Sequence, residues 1–580
     1  MIRGISISEG VVVAKAFVRE EVRIQIKMEE ILDPEQEIQR LLIAVNEYIE
    51  QLEYKYNKTL NVLGEEEANI YKNHISILKD SVVVSGVKKQ IRDRRINAEF
   101  ILEEVKNKYE AIYGKMADDF LKKKAEYIRN ITDGIIRILS LEKQEAPREF
   151  SDDVILLAKG MSEVETMEFH LNHVVGIILE NGNKTGYEAR LTQNWKIPAV
   201  IGVKRISELV KNGDLLILDG NKGEVIINPE PELVAFYTQK SKKERELTDI
   251  YKEYSHIDAV TKDFHRLEIG SLVGSLEGLR TAIEKGGEYV GVFRTEFVFI
   301  GRNEMPSEEE QFVIYREALL ANEGRRLCIR TFDCTEYNDL PYIHMINQHQ
   351  SSYGYFSTRV ALNHREILLT QLCAILRASA YGEVSFVVPM ISTVDELLDV
   401  RLLLEDAKLS LEDREIDYQN IRFGIVLETP AAAVITNFFA MEVDFLYVDL
   451  DDMLRYMTGV DPMNDMVFEL YDEYHPGFIR ILRSIIRSAH REGTSVAFYG
   501  ELCMSEALVP VLVAMGVDQL IVNSDEIGRL RWEVNSMYKM KWDQILEELL
   551  SMGSGREIKS FLERNFWSEI ANKNEDKDLS

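Results

Sequence analysis

The stretch "GVFRTEFVFI", residues 291–300, joins a short apolar run to charged residues and then to a second apolar segment. Runs of this kind, each followed by a helical pattern, recur eight times between residues 268 and 523. The eight runs are Glu268–Val273, Tyr289–Arg294, Leu327–Phe332, Val384–Pro389, Arg422–Leu427, Asp444–Leu450, Ser495–Gly500 and Gln519–Asn523. Eight strand–helix units over about 310 residues predict a TIM (β/α)8 barrel.

The chain upstream of the barrel changes character several times. Residues 28–145 carry long charged helical patterns without proline between Pro34 and Pro147, which predicts a helical bundle. Short apolar runs flank this bundle on both sides and predict a small α/β domain into which it is inserted. The predicted multidomain α/β organisation is an α/β domain of residues 1–20 plus 147–230, an inserted helical domain 21–146, a helical linker 231–258, the barrel 259–570 and a disordered tail 571–580.

Composition restricts the classes of function. The formal net charge of −29 opposes binding of a phosphate backbone, so we expect no nucleic-acid partner. No signal peptide and no apolar run of membrane-spanning length is found, which predicts a cytoplasmic protein without membrane insertion. Four cysteines lack CxxC spacing and are expected to be buried free thiols: Cys328, Cys334, Cys373 and Cys503.

Charged residues stand where several barrel strands end. Arg294 ends the second run, Arg330 belongs to the third, Glu428 follows the fifth, and Asp451 and Asp452 follow the sixth. In a TIM barrel the chemistry lies at these carboxyl ends. Two arginines and paired carboxylates suit a phosphorylated acid held together with Mg²⁺. For each residue alone, the alternative is a structural ion pair at a strand end.

A second candidate phosphate site is "NGNKTGYEARLTQNWKIPAVIG", residues 181–202. A glycine turn before a helix N-terminus is a natural anion site, because unpaired N–H groups and the helix dipole face the ligand. The expected nucleophile in such a loop is a histidine, but this chain has Tyr187. A phenol with a pKa of about 10 is far less reactive than imidazole at neutral pH.

Six phrases resemble one known family over nearly the whole chain. They are "GISISEGVVVAKAF", "GEEEANIYKNHISILKD", "GVFRTEFVFI…PSEEEQF", "REILLTQLCAILRASAYG", "IVLETPAAA" and "AFYGEL". The chain resembles enzyme I of the bacterial sugar phosphotransferase system, the phosphoenolpyruvate–protein phosphotransferase. The resemblance implies a swivelling phosphohistidine domain, an inserted domain that docks the carrier HPr, and a dimerising barrel that binds phosphoenolpyruvate. It also implies Mg²⁺-dependent phosphate transfer from phosphoenolpyruvate to a histidine and then to HPr.

Several family positions hold different residues here. The phosphohistidine position falls on Tyr187, and the position of the cysteine that protonates the enolate falls on Tyr499. Two family arginines that hold the phosphate fall on Phe356 and Pro462, and the asparagine beside the metal aspartate is Asp451. The other changes are Asn183 and Lys184 in the phosphate loop, Leu272 on the first strand, and Thr335-Glu-Tyr-Asn338 in place of a lysine-bearing loop.

Four family positions stay in register. They are Arg294 and Arg330, which the resemblance assigns to substrate binding together with the Asp451 position, and Glu428 and Asp452, which it assigns to Mg²⁺. Losing one preorganised donor to a developing charge costs roughly 2.7–4 kcal/mol, so several losses together predict a severe defect. Compensation would require another cation to move in; the candidates are Arg302, Arg316, Arg359 and Lys196.

Two interpretations remain open from the sequence. In the first, the chain is a catalytically impaired family member with a regulatory or binding role that keeps docking of an HPr-type carrier, or binds another small anion in the barrel mouth, and forms a homodimer. In the second, it is an active phosphotransferase with an altered substrate or phosphoacceptor. Tyr187 could also simply cap its helix, and Tyr499 could fill the top of the barrel.

Overall fold

The computed structural model falls into two compact units, residues 1–245 and 246–580. The residues that it describes are 2–19, 26–63, 65–79, 82–113, 119–140, 152–161, 173–182, 192–193, 195–300, 302–334, 340, 342, 354–462, 467, 470–505 and 507–565. The predicted tail, 571–580, lies outside these residues.

An eight-stranded mixed sheet forms the α/β part of the first unit, in the order β1-β8-β7-β3-β4-β5-β6-β2. Strand β3 pairs in parallel with β4 and antiparallel with β7, so the amino-terminal strands belong to the same sheet as those beyond residue 150. The strands are β1 (Ile2–Arg3), β2 (Ile5–Ser8), β3 (Val11–Val18), β4 (Val154–Ala158), β5 (Val174–Leu179), β6 (Ala199–Ile201), β7 (Leu215–Asp219) and β8 (Glu224–Ile227).

Long helices occupy the chain between the paired strands β3 and β4, as the sequence predicts. Their apolar faces bury a separate core that includes Leu41, Leu52, Ile91 and Ile101. The helices are α1 (Pro34–Leu63), α2 (Glu65–Lys79), α3 (Val82–Arg94), α4 (Ala98–Tyr113) and α5 (Asp119–Leu139). After the short helix α6 (Ile206–Leu209), the predicted linker is one helix, α7 (Pro231–Tyr254).

His74 of α2 lies inside the helical core rather than on its surface. Its side chain is fully buried, its ring meets that of Tyr127 edge to face at 5.0 Å, and neither ring nitrogen has a hydrogen-bond partner among the described residues. Burial, with a smaller contribution from Lys55, lowers the pKa of His74 to about 4. His74 therefore contributes to packing as a neutral group and does not itself contact a partner.

The second unit is a closed barrel of eight parallel strands in the order β10-β11-β12-β13-β14-β15-β16-β9, which confirms the predicted fold. Each predicted strand is present, with ends within two residues of the prediction. The strands are β9 (Glu268–Val273), β10 (Tyr289–Phe293), β11 (Leu327–Arg330), β12 (Val384–Val388), β13 (Arg422–Leu427), β14 (Phe445–Asp449), β15 (Ser495–Tyr499) and β16 (Gln519–Asn523).

Helices follow the strands and cover the outside of the barrel. Their bounds are α8 (Leu276–Glu284), α9 (Glu296–Phe299), α10 (Glu308–Ala321), α11 (Thr358–Asn363), α12 (Arg365–Ala378), α13 (Val394–Asp413), α14 (Pro430–Val434), α15 (Thr436–Ala440), α16 (Leu450–Thr458), α17 (Pro476–Arg491), α18 (Val509–Met515), α19 (Ile527–Ser536) and α20 (Lys539–Leu549). All four cysteines are buried free thiols, as predicted. No helix within the described part of the chain is long and apolar enough to cross a membrane.

Candidate active site at the barrel mouth

The carboxyl ends of β10 and β11 bring Arg294 and Arg330 to the same mouth of the barrel. Buried hydrogen bonds fix this region: Thr295 donates its hydroxyl proton to the Arg330 carbonyl at 2.9 Å, and Gln371 donates to the Thr295 hydroxyl at 3.2 Å. Gln371 also accepts from the backbone N–H of Phe332 at 2.6 Å. Because Thr295 and Gln371 are buried, the two strand ends are held rigidly.

Arg330 is already paired with carboxylates of its own chain. Its guanidinium forms ion pairs with Glu296 and, at 3.0 Å, with Asp333, and 9% of its side chain is exposed. Although burial alone would lower it, the pKa of Arg330 is raised, chiefly by Asp333. The charge of this arginine is therefore largely neutralised before any anion arrives, although its buried Nε has no partner among the described residues.

Arg294 differs from Arg330 in its surroundings. Its side chain is exposed to the open mouth and makes no hydrogen bond or ion pair with the described residues. Burial within the mouth and the nearby Arg330 lower the pKa of Arg294. A guanidinium without an internal carboxylate partner can still bind an anion in fork geometry.

Carboxylates dominate the opposite side of the mouth. Glu428 is buried, with 4% exposure, at the end of β13, and it makes no hydrogen bond within the described structure. Burial and the nearby Asp452 raise the pKa of Glu428 well above its usual value. Burial and Asp449 likewise raise the pKa of both Asp451 and Asp452 to about 7. Packing these acids together favours bound cations or protons over an added phosphate.

Two aspartates at the mouth, Asp449 and Asp451, accept hydrogen bonds from backbone N–H groups. The carboxylate of Asp449 caps α16 by accepting from the N–H groups of Asp451 and Asp452, both at 3.1 Å. The carboxylate of Asp451 accepts from Glu501 at 2.6 Å and from Leu502 at 3.3 Å. These backbone N–H groups could otherwise donate hydrogen bonds to an anionic ligand, but they already donate to carboxylates of the protein.

Tyr499 packs into the top of the barrel interior. Its ring is fully buried, and it lies edge to face with Tyr447, at 6.4 Å between ring centroids. Burial and Asp449 raise the pKa of Tyr499 well above its usual value, so the hydroxyl stays protonated. That hydroxyl has no hydrogen-bond partner among the described residues. The packing agrees with the alternative in which Tyr499 fills the barrel top.

None of the arginines proposed as compensation is free. Arg302 pairs with Glu310 at 2.7 Å, and Arg316 lies over the rings of Phe312 and Tyr381. Arg359 is held at 3.2 Å by Glu396, and it donates to Ser392 at 2.8 Å and to the Gly354 carbonyl at 2.9 Å.

The mouth contains one further arginine that the sequence analysis did not single out. Arg455 of α16 pairs with Asp452 at 3.0 Å, so one of the two predicted metal ligands already has a cationic partner. Within the described residues, no group of three or more His, Cys, Asp or Glu is arranged to hold a metal ion.

Tyr187 and the segment 335–338 lie outside the described residues, whereas Phe356 and Pro462 are half-buried.

Family models of known proteins match three regions of this chain. The family model for the PEP-binding domain of PEP-utilising enzymes matches residues 249–538, the N-terminal model matches residues 3–124, and the mobile-domain model matches residues 150–223. The phosphoenolpyruvate-protein phosphotransferase of Geobacillus stearothermophilus is 33% identical over 97% of this chain and 98% of its own length. That of Bacillus subtilis is 31% identical over 97% of this chain and 99% of its own. The chain belongs to the phosphoenolpyruvate-protein phosphotransferase family.

Besides Arg455, the structure gives two acids, Glu296 and Asp449, a part at the mouth that the sequence analysis did not assign to them. Glu296 lies two positions beyond Arg294 and neutralises Arg330, and Asp449 is the last residue of its strand. Both are acids at strand ends and could have been found by the same rule that selected Glu428. Their effect on the arginines and on the backbone N–H groups depends on contacts made only in the folded chain.

Proposed function

We propose that this member of the phosphoenolpyruvate-protein phosphotransferase family has lost the phosphorelay and acts as a regulatory or binding protein. The observation that carries the proposal is the state of the barrel mouth. Arg330 is neutralised by Glu296 and Asp333, whereas Glu428 and the aspartates around Asp449 leave the mouth acidic. Phosphoenolpyruvate is a trianion at neutral pH, and its binding requires cations that are free to meet it.

The family's metal fits this donor set only in part. Glu428 and Asp452 supply hard carboxylate oxygens, and Mg²⁺ commonly uses one or two carboxylates together with water and substrate oxygens. We therefore propose these two residues as the ones that would hold Mg²⁺, weakly, because Asp452 is also paired with Arg455. When bound, the metal would offset negative charge on phosphoryl oxygens.

Direct calorimetry tests the proposal. At neutral pH with Mg²⁺, we expect phosphoenolpyruvate to bind with a Kd weaker than about 1 mM, equivalent to less than about 4 kcal/mol of binding free energy. The Bacillus subtilis relative serves as the positive control. Low-micromolar affinity that disappears in the variants Arg294→Met and Arg330→Met would show that the mouth is still a phosphoenolpyruvate site, and the proposal would be wrong.

A homodimer through the barrel is also part of the proposal. Apolar side chains on α13, α14 and α15, and directly after α15, are exposed: Leu398, Leu402, Val434, Phe438 and Met441 have exposures of 43%, 57%, 77%, 54% and 57%. Arg401 of α13 pairs with Glu442, which follows Met441, so the segment after α15 lies beside α13. An apolar face of this kind is typical of a protein–protein interface, and a second copy would bury it.

Docking of an HPr-type carrier is the proposed retained activity of the helical part. An acidic chain attracts a basic partner surface, and such attraction weakens with salt. We expect fluorescently labelled HPr from the same organism to co-sediment with the full chain at low salt and to be released at high salt. The same sedimentation runs report whether the chain is a dimer.

Charge-reversal variants make this docking test specific. Glu66→Lys combined with Glu67→Lys reverses two charges on α2, within the family-like phrase of the domain that the resemblance assigns to HPr docking, and should abolish co-sedimentation. Glu284→Lys combined with Glu317→Lys, on α8 and α10 of the barrel, reverses the same number of charges elsewhere and should have no effect. Failure of the unaltered chain to carry HPr at low salt would refute the docking proposal.

A further inference from the structure

The barrel mouth contains unsatisfied groups of both signs. Arg294 offers a guanidinium without an ion-pair partner in the described structure. Across the mouth, Glu428 offers a buried carboxylate without a hydrogen bond among the described residues. Neither group is bound by another side chain of the described residues. Both are therefore available to a single ligand that carries one negative and one positive charge.

Two buried polar atoms point to the same conclusion. The Tyr499 hydroxyl and the Arg330 Nε have no hydrogen-bond partner among the described residues, although Tyr499 is fully buried and 7% of Arg330 is exposed. The charged groups that act on Tyr499 include Asp449, Arg330 and Glu428, so its hydroxyl lies among the mouth residues. Buried polar groups in native proteins are nearly always satisfied, and a ligand is one way to satisfy these.

The N–H groups and the arginine best suited to bind a phosphate already have partners within the protein. Asp449 holds the first N–H groups of α16, Asp451 holds those of Glu501 and Leu502, and Arg330 is paired twice. Of the two arginines at the strand ends, Arg294 remains, and one guanidinium is enough for one carboxylate. The acids clustered around Glu428 favour a positively charged hydrogen-bond donor. An ammonium group is such a donor and supplies three N–H groups.

We propose that the barrel mouth binds a small zwitterion of the α-amino acid class, with its carboxylate on Arg294 and its ammonium group among Glu428, Asp452 and the Tyr499 hydroxyl. This inference rests on the proposed function, in which phosphoenolpyruvate is no longer the ligand. It assigns the altered mouth a binding role for a ligand of another charge type.

Thermal unfolding of the full chain tests the inference. Each of the common L-amino acids is added singly, up to about 10 mM, in buffer with a chelator, and phosphoenolpyruvate is added in a parallel series. We expect at least one amino acid to raise the Tm of the barrel by about 2 °C or more in a saturable manner. Lactate, which lacks the ammonium group, and ethylamine, which lacks the carboxylate, should have no effect at the same concentration.

Matched variants separate specific binding from general stabilisation. Arg294→Met and Glu428→Gln should each abolish the shift, whereas Arg325→Met and Glu323→Gln, which alter a surface ion pair elsewhere on the barrel, should preserve it. If neither an amino acid nor phosphoenolpyruvate shifts the Tm, this inference is wrong and the proposed function stands. If only phosphoenolpyruvate shifts it, this inference is wrong, and the proposed function is wrong as well when that shift saturates below about 1 mM phosphoenolpyruvate.

Discussion

Incubation of the chain with labelled phosphoenolpyruvate, Mg²⁺ and HPr is expected to leave no acid-labile phosphate on it. A phosphoramidate requires a nucleophilic imidazole, and the family's histidine position holds Tyr187. The barrel would fail independently, because Phe356 and Pro462 replace two phosphate-binding arginines of the resembled family and Tyr499 replaces its proton donor. Each lost donor costs roughly 10²–10³ in rate, so the transfer rate should fall by at least about 10⁴.

Restoration variants distinguish the two defects. Tyr187→His alone should not recover labelling, because the mouth still lacks its cations. A chain that combines Tyr187→His with Phe356→Arg, Pro462→Arg and Tyr499→Cys should regain measurable acid-labile label. The Bacillus subtilis relative, treated in parallel, controls for the reagents. A phosphoramidate found in peptides from residues 181–202 of the unaltered chain would contradict the loss of the relay.

Acidification is expected to destabilise the helical core through His74. The pKa of His74 is about 4 in the folded chain and 6.5 in its reference state, so the unfolded chain binds the proton more readily. Stability is therefore complete above about pH 6.5, falls as the pH decreases, and levels off below about pH 4. The shift corresponds to a total loss of about 3 kcal/mol, of which about 2 kcal/mol is reached at pH 5.

Urea unfolding of the 1–245 unit, followed by far-UV circular dichroism, measures this loss. His74→Leu should keep or raise the free energy of unfolding at pH 7, because both ring nitrogens of His74 lack partners among the described residues. The same variant should lose about 2 kcal/mol less than the unaltered chain between pH 7 and pH 5. His173→Asn, at an exposed position with positive φ, controls for general effects of histidine removal. Equal pH dependence of His74→Leu and the unaltered chain would exclude this role.

The barrel strands could be predicted from the sequence because each is a short apolar run with turn or helical signals on both sides. A strand buried on both faces, such as Val384–Val388, needs no information from distant residues to be identified. The identity of the mouth residues followed as well, since parallel strands place their carboxyl ends at one edge. The sequence also determined what is missing, because an absent histidine or arginine can be read directly from the chain.

Only the tertiary structure decided which charged side chains are available to bind a ligand. Arg294 and Arg330 look equivalent in sequence, yet Arg330 is neutralised by Glu296 and Asp333 whereas Arg294 remains exposed. Likewise, the sequence does not show whether His74 is exposed, and packing against Tyr127 places its side chain in the core. The physical reason is common to both cases. The strength of a charge and the role of a titratable group depend on burial and on neighbours brought together by folding, which spacing along the chain does not specify.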